Sequence, residues 1–81
     1  MRAEEFEELF ERQFDSVSGY LARRVGPELG RDLASETFTR AFAARKRYDP
    51  ARGEARAWLF GIANNLLRLW GKETRFGLCN R

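Results

Sequence analysis

Residues 6–27 read FEELFERQFDSVSGYLARRVGP, and the spacing of their apolar side chains decides the fold class. Phe6, Leu9, Phe10, Phe14, Val17, Leu21 and Val25 follow the i, i+3, i+4, i+7 rule, the period of one face of an α-helix. They predict a single apolar stripe on a helix from about residue 3 to residue 25. Glu4, Glu5, Glu7 and Glu8 crowd its first turns, where the positive end of the helix dipole favours carboxylates. Gly26 and Pro27 then stop it: glycine suits the position after a helix, and proline suits the first turn of the next.

Working outward, a second helix is expected from about residue 28 to residue 47, with Leu33, Ala34, Thr37, Phe38, Ala41, Ala44 and Tyr48 on its apolar side. Asp32, Glu36, Thr39, Arg40 and Ala43 fall on the opposite arc. Asp49-Pro50 ends it, because the residue before proline is pushed out of the α region. A third helix is expected from about residue 54 to residue 70, with Ala55, Trp58, Leu59, Ile62, Ala63, Leu66, Leu69 and Trp70 inward. Arg56, Phe60, Asn64 and Leu67 lie on its other arc, and Gly71 marks its expected end. Residues 72–81 read as a frayed tail. Nothing alternates like a strand and nothing repeats, so the expected fold is all-α, a three-helix bundle with short connections over residues 1–71.

Length and composition narrow the function. Eighty-one residues make one small domain that buries roughly 60% of its unfolded surface. A barrel or a doubly wound sheet does not fit in that length. Histidine is absent, which removes the commonest general base and metal ligand. Cys79 is the sole cysteine, has no histidine partner for nucleophilic catalysis, and points to no disulfide. Apolar runs are too short to cross a bilayer, and the acidic start is unlike a secretory leader. The expected location is the cytoplasm. Asp32 and Glu36 share a helical face without a third ligand, and Arg40 is placed to pair with Glu36. No phosphate-binding glycine loop is present. Neither enzyme activity nor a metal or cofactor is expected.

Charge is unevenly spread along the chain. Residues 1–15 sum to −4, residues 16–44 to +1 and residues 45–81 to +6. The basic part is mostly arginine, which forks onto phosphate and stacks on bases. Three features stand out. Asp32, Ser35, Glu36, Thr39 and Phe42 make either an ordinary solvated helix face or a docking face for a basic partner helix. The segment from Arg45 to Arg56 gathers Arg45, Lys46, Arg47, Arg52 and Arg56 around Tyr48, Pro50 and Gly53. It is either a soluble connection or a site for a nucleic-acid strand, with cations for phosphates and an aromatic for a base. The third helix carries more apolar residues than one stripe needs, so it is buried on two sides or exposes Phe60 to a partner.

DLASETFTRAF at residues 32–42 and RYDPARGEARAWLFGIANNLLR at residues 47–68 resemble region 2 of bacterial extracytoplasmic-function (ECF) RNA polymerase sigma factors. FEELFERQFDSVSGYLARRVG at residues 6–26 looks like the helix that opens that region. The resemblance implies a three-helix bundle of sigma region 2 type. It implies that Asp32, Ser35, Glu36, Thr39 and Phe42 dock on the coiled coil of the polymerase β′ clamp, Asp32 and Glu36 pairing with clamp arginines. It further implies that Arg47, Tyr48, Arg52, Gly53 and Arg56 take up a flipped base from the non-template strand of the promoter −10 element. Trp58 and Phe60 would then assist strand separation, and Asn64, Asn65 and Arg68 would meet the −10 DNA. Ser35 stands where the family usually carries glutamine, and Asn64 where many members carry arginine.

The implied function is a non-enzymatic transcription-initiation module that binds core RNA polymerase and recognises and melts the −10 element, without a cofactor and without a membrane. An anti-sigma factor is a further candidate partner. The second helical domain that reads the −35 element in such factors is expected to be missing from this chain. Two rival readings carry different expectations. A protein-interaction module for core polymerase or an anti-sigma factor would not recognise DNA productively. A generic helix-turn-helix domain would prefer duplex to single strand. A membrane-surface role is weakest, because the polar side of the first helix is rich in acids.

Overall fold

A computed structural model describes residues 1–79, with side chains described for residues 1–70. Three α-helices, α1 (Ala3–Val25), α2 (Pro27–Ala43) and α3 (Ala55–Cys79), account for most of it. Two 3₁₀ turns, Arg45–Arg47 and Pro50–Arg52, lie between α2 and α3. No strand forms among the described residues. The all-α expectation therefore holds, and α1 has the bounds that its apolar spacing predicted.

Local chemistry explains the element ends. The Arg2 backbone N–H donates to Glu5 Oε1 at 2.9 Å, occupying a carboxylate in the first turn of α1. That hydrogen bond, chiefly, holds the Glu5 carboxyl below its ordinary value. Gly26 takes φ 94°, a conformation that a Cβ strongly disfavours. Its N–H donates to the Ala22 carbonyl at 2.8 Å, and Pro27 opens α2 in the next position. The α1–α2 connection is thus a single residue, and the two helices are forced to pack as neighbours.

Helix α2 ends at Ala43 and not near residue 47. The Ala44 N–H reaches both the Arg40 and the Ala41 carbonyls, at 3.0 and 3.2 Å, so the last turn tightens into 3₁₀ geometry. Tyr48 consequently leaves the helix and belongs to the connection. At the other end of the chain, α3 runs on past Gly71 to Cys79. One glycine costs a helix interior only about 1 kcal/mol relative to alanine, and no proline follows it. The tail expected over 72–81 falls on positions whose side chains are outside the described residues, and 80 and 81 lie outside them altogether.

The core draws on all three helices. Phe6, Val17 and Leu21 come from α1; Leu33, Ala34, Phe38 and Ala41 from α2; Leu59, Ala63 and Leu66 from α3. Thr37 is fully buried, and its hydroxyl donates to the Leu33 carbonyl at 2.7 Å, so α2 satisfies its one buried polar side chain internally. Gly30 is also buried, where its backbone lies close against Ala22 of α1. A Cβ at this position would lie 2.5 Å from the Ala22 backbone nitrogen. Four positions depart from the expected pattern, Phe60 of the outer arc of α3 among them, since it packs against the core. Phe10 and Leu69, both placed on inward stripes, are 40% and 57% exposed. Leu67, placed on the outer arc, packs against the core. The inward arc of α3 is set by its contact with both α1 and α2, which is wider than one stripe and rotated toward Leu67.

Candidate functional site

Two surfaces of different chemistry stand out, one on α2 and one on the α2–α3 connection. The first is the outer face of α2. Asp32, Ser35, Glu36 and Thr39 are all exposed there, because they alternate with the buried Leu33, Ala34, Thr37 and Phe38 at helical spacing. Glu36 accepts from Arg40 Nε at 2.9 Å, the i, i+4 pair expected from the sequence. Thr39 Oγ1 donates to the Ser35 carbonyl at 2.9 Å. Asp32 forms no ion pair among the described residues, so its carboxylate is available to a partner.

Phe42 closes this face. The residue is 42% exposed, yet its ring is held from two sides. Phe6 meets it edge-on with centroids 5.2 Å apart. The Arg45 guanidinium lies 3.8 Å from the ring centre, and Arg45 Nη1 donates to the Phe42 carbonyl at 2.8 Å. Beside it, Phe10 packs on Phe38 at 4.9 Å and on Phe14 at 5.0 Å while keeping much of its own ring in solvent. The sequence placed Phe10 in the core; it is instead an exposed aromatic at the rim of the α1–α2 junction. Its helical phase alone does not separate a core position from a rim position.

The second surface is the connection itself. Asp49 Oδ1 accepts from the Ala51 N–H at 3.0 Å and caps the second 3₁₀ turn, which Pro50 opens with its fixed φ. Tyr48 Oη donates to the Gly53 carbonyl at 2.9 Å, so the tyrosine spans the connection and fixes its shape. The Tyr48 ring stands 5.0 Å from that of Trp58 on α3, tilted by 42°. Beside this contacting pair opens a pocket of about 390 Å³, within the usual range for small-ligand sites. Arg47, Tyr48, Arg52, Gly53 and Trp58, all singled out in the sequence, line it together. Asp49, Glu54 and Ala57 complete the wall and were not singled out. Their signal was only their position between the others.

The remaining candidates lie outside this pocket. Arg56 and Phe60 border a neighbouring recess of about 240 Å³, with the Arg56 guanidinium 5.3 Å from the Phe60 ring centre. Phe60 is half-buried and meets Tyr20 of α1 edge-on at 5.1 Å, which answers the question of its orientation: it packs between helices. Asn64, Asn65 and Arg68 are exposed farther along α3. Arg68 Nη2 donates to Asn65 Oδ1 at 3.0 Å, and Asn64 Oδ1 accepts from the Tyr20 hydroxyl. Tyr20 is a member of this group that sequence reasoning missed.

Among the described residues no cluster of three or more His, Cys, Asp and Glu side chains is placed to hold a metal ion. No helix among them is long and apolar enough to cross a membrane.

The family profile for Sigma-70 region 2 matches residues 9–76. The chain is 36% identical over 77 residues to the ECF RNA polymerase sigma factor BldN of Streptomyces coelicolor, covering 94% of this chain and 29% of that protein. It is 41% identical over 64 residues to the RNA polymerase sigma factor CarQ of Myxococcus xanthus, covering 78% of this chain and 36% of that one. The chain thus spans about a third of the length of these curated relatives. No solved structure gives a significant match.

Proposed function

Because this chain belongs to the Sigma-70 region 2 family, we propose that it is the region 2 module of an RNA polymerase sigma factor, docking through the outer face of α2 and holding an extruded promoter base at the α2–α3 connection. The observation that carries this reading is the pocket lined by Tyr48 and Trp58 and bordered by Arg47 and Arg52, with neither Asp32 nor Glu36 in its wall.

The chemistry supports that division. Opening a duplex requires bases to be unpaired and unstacked, at a cost of a few kcal/mol each. A protein offsets that cost only by binding the open strand better than the duplex. Tyr48, on a connection braced by the Tyr48–Gly53 and Asp49–Ala51 hydrogen bonds, together with Trp58 of α3 offers such a preference, since stacking on an aromatic contributes about 1–3 kcal/mol per base. Arg47 and Arg52 would meet the adjoining phosphates and make binding salt-dependent. On the outer face of α2, the free carboxylate of Asp32 and the half-engaged one of Glu36 suit a partner helix rich in arginine, such as the β′ clamp coiled coil. In the proposed complex the non-template strand of the −10 element is the DNA partner, and Arg56, Phe60, Asn64, Asn65 and Arg68 extend its track along α3.

The test combines the full chain with core RNA polymerase and measures binding to fork DNA bearing a single-stranded non-template overhang. Trp58→Ala is expected to weaken overhang binding by about tenfold or more, from the loss of one stacking surface. Arg52→Ala is expected to weaken it about threefold and to reduce its salt dependence by roughly one ion. Binding to duplex of the same length should change less in both variants. Undiminished overhang binding in Trp58→Ala would remove the pocket from the account and favour a module that binds protein alone. A preference for duplex would favour a helix-turn-helix reader.

A further inference from the structure

The side chains of Tyr20 and Arg24 lie one turn apart on α1, on the side that faces α3. Tyr20 touches three partners. Its ring packs on Phe60 at 5.1 Å, its hydroxyl donates to Asn64 Oδ1, and the Arg24 guanidinium lies 4.1 Å from its ring centre. On α3, Arg56, Phe60, Asn64 and Arg68 follow one another at intervals of four residues and so form a ridge along one side of that helix. Tyr20 and Arg24 run beside the ridge. None of Arg24, Arg56 and Arg68 pairs with a carboxylate among the described residues. Acidic side chains are absent from residues 16–27 of the α1 strip and from residues 55–72 of α3. Glu54 borders the strip at the start of α3 and pairs with none of these arginines among the described residues, so the strip presents unpaired cations that fit a polyanion.

The direction of the Tyr20–Asn64 hydrogen bond adds a specific element. An asparagine amide has one accepting oxygen and one donating nitrogen. With Oδ1 engaged by the tyrosine hydroxyl, the free end of the exposed Asn64 side chain is the Nδ2 donor, which has no hydrogen-bond partner among the described residues. A donor next to unpaired guanidinium groups suits an anionic acceptor, and the repeating anionic acceptor of a nucleic acid is the phosphate oxygen.

We propose that Tyr20 and Arg24 of α1 belong to the DNA-binding surface: Arg24 contacts a backbone phosphate directly, and Tyr20 is a positioning residue that turns the Asn64 amide nitrogen toward the phosphate backbone. This rests on the DNA-binding reading above and adds a second helix to it. Tyr20 does not itself touch DNA. Its part is to choose which end of the amide faces outward and to seat Phe60 beneath it.

The experiment uses the full chain with core RNA polymerase and the same fork DNA, titrated at several salt concentrations, with folding checked by circular dichroism. Arg24→Ala should weaken binding about threefold and lower the slope of log affinity against log salt by about 0.7–0.9, the contribution of one phosphate contact. Tyr20→Phe keeps the ring and loses the hydroxyl. It should weaken binding about threefold with no change of slope, as for an uncharged contact. In an Asn64→Ala background, Tyr20→Phe should have no further effect, because its route of action is gone. An unchanged slope in Arg24→Ala overturns the phosphate contact. Wild-type affinity in Tyr20→Phe, or an equal loss in the Asn64→Ala background, overturns the positioning role. If these variants bind as wild type while Trp58→Ala weakens binding, this proposal alone fails. Where wild type binds no fork DNA, the DNA reading fails and takes this proposal with it.

Discussion

Gly30→Val is expected to lower the stability of the domain by about 2–3 kcal/mol and its melting temperature by about 10–20 °C, the shift per kcal/mol being about 4–8 °C at this size. The cause is a single close approach. A Cβ at position 30 would stand 2.5 Å from the Ala22 nitrogen and 2.6 Å from its Cα, so relief cannot come from rotating a side chain. Backbone must move, and α1 and α2 must separate along their whole contact. That separation loosens the core residues Leu21, Leu33 and Ala34, which sit on the same pair of helices. Valine gains up to about 0.5 kcal/mol over glycine in helix propensity, far too little to offset this. Gly19→Ala is the matching control: nothing lies within 4 Å of a Cβ there, and alanine should stabilise α1 by about 0.5–1 kcal/mol. Thermal melts of both variants by circular dichroism check the pair. A Gly30→Val protein melting within a few degrees of wild type would mean that the helices are not in contact at Gly30.

Glu36→Arg is expected to reduce binding to the β′ clamp coiled coil by about 100-fold or more while leaving the fold in place. The residue is exposed, and its pair with Arg40 is of a kind that contributes only about 0.3–0.5 kcal/mol. Replacing it with arginine beside Arg40 costs the helix a similar small amount. The effect on a docked partner is much larger. A favourable charge contact becomes a repulsive one within the interface, and like-charge juxtaposition there costs several kcal/mol. Asp32→Ala, which removes a contact without adding a clash, should weaken the same binding about tenfold. A titration of the full chain against the isolated coiled coil reads both. Equal binding by wild type and Glu36→Arg would place the polymerase contact elsewhere or remove it from the function.

Much of this architecture was legible from residue spacing. Helix α1 and the Gly26-Pro27 turn follow from a seven-member apolar stripe and two residues with strong backbone preferences. Where one helix touches two others, the stripe was less informative. The buried arc of α3 is wider than its regular apolar spacing suggests, so Leu67 was placed outward and Leu69 inward, the reverse of what packing imposes. Phe10 shows the complementary limit, since periodicity assigns a face but not a depth. Gly30 carried no sequence signal, because its role comes from a neighbour eight positions back on another helix. The pocket was the most readable part of the candidate site. A tyrosine, a proline and a glycine within six residues constrain a short connection so tightly that its arginines and Trp58 have few other places to go. Tyr20 was unreadable for the opposite reason: its α3 partners, Phe60 and Asn64, lie forty residues or more downstream, and only the docking of α1 on α3 brings them together.

Arg45 lies between the two surfaces. Its guanidinium covers Phe42 on one, and its backbone begins the 3₁₀ turn that leads to Tyr48 and the other. A partner that covers Phe42 must either accept that guanidinium as part of its own contact or push it aside, and both outcomes alter the freedom of the segment that shapes the pocket. In the proposed complex the two binding events would meet at one residue, Arg45, whose side chain stacks on Phe42 and whose backbone starts the turn leading to the pocket, and they would be thermodynamically linked through it. Whatever factor docking adds to the affinity for an open strand, the open strand must add to the affinity for the docked partner. If Arg45 stays stacked, the ordering cost of the connection falls on whichever ligand arrives first, and the second binds to a segment already ordered.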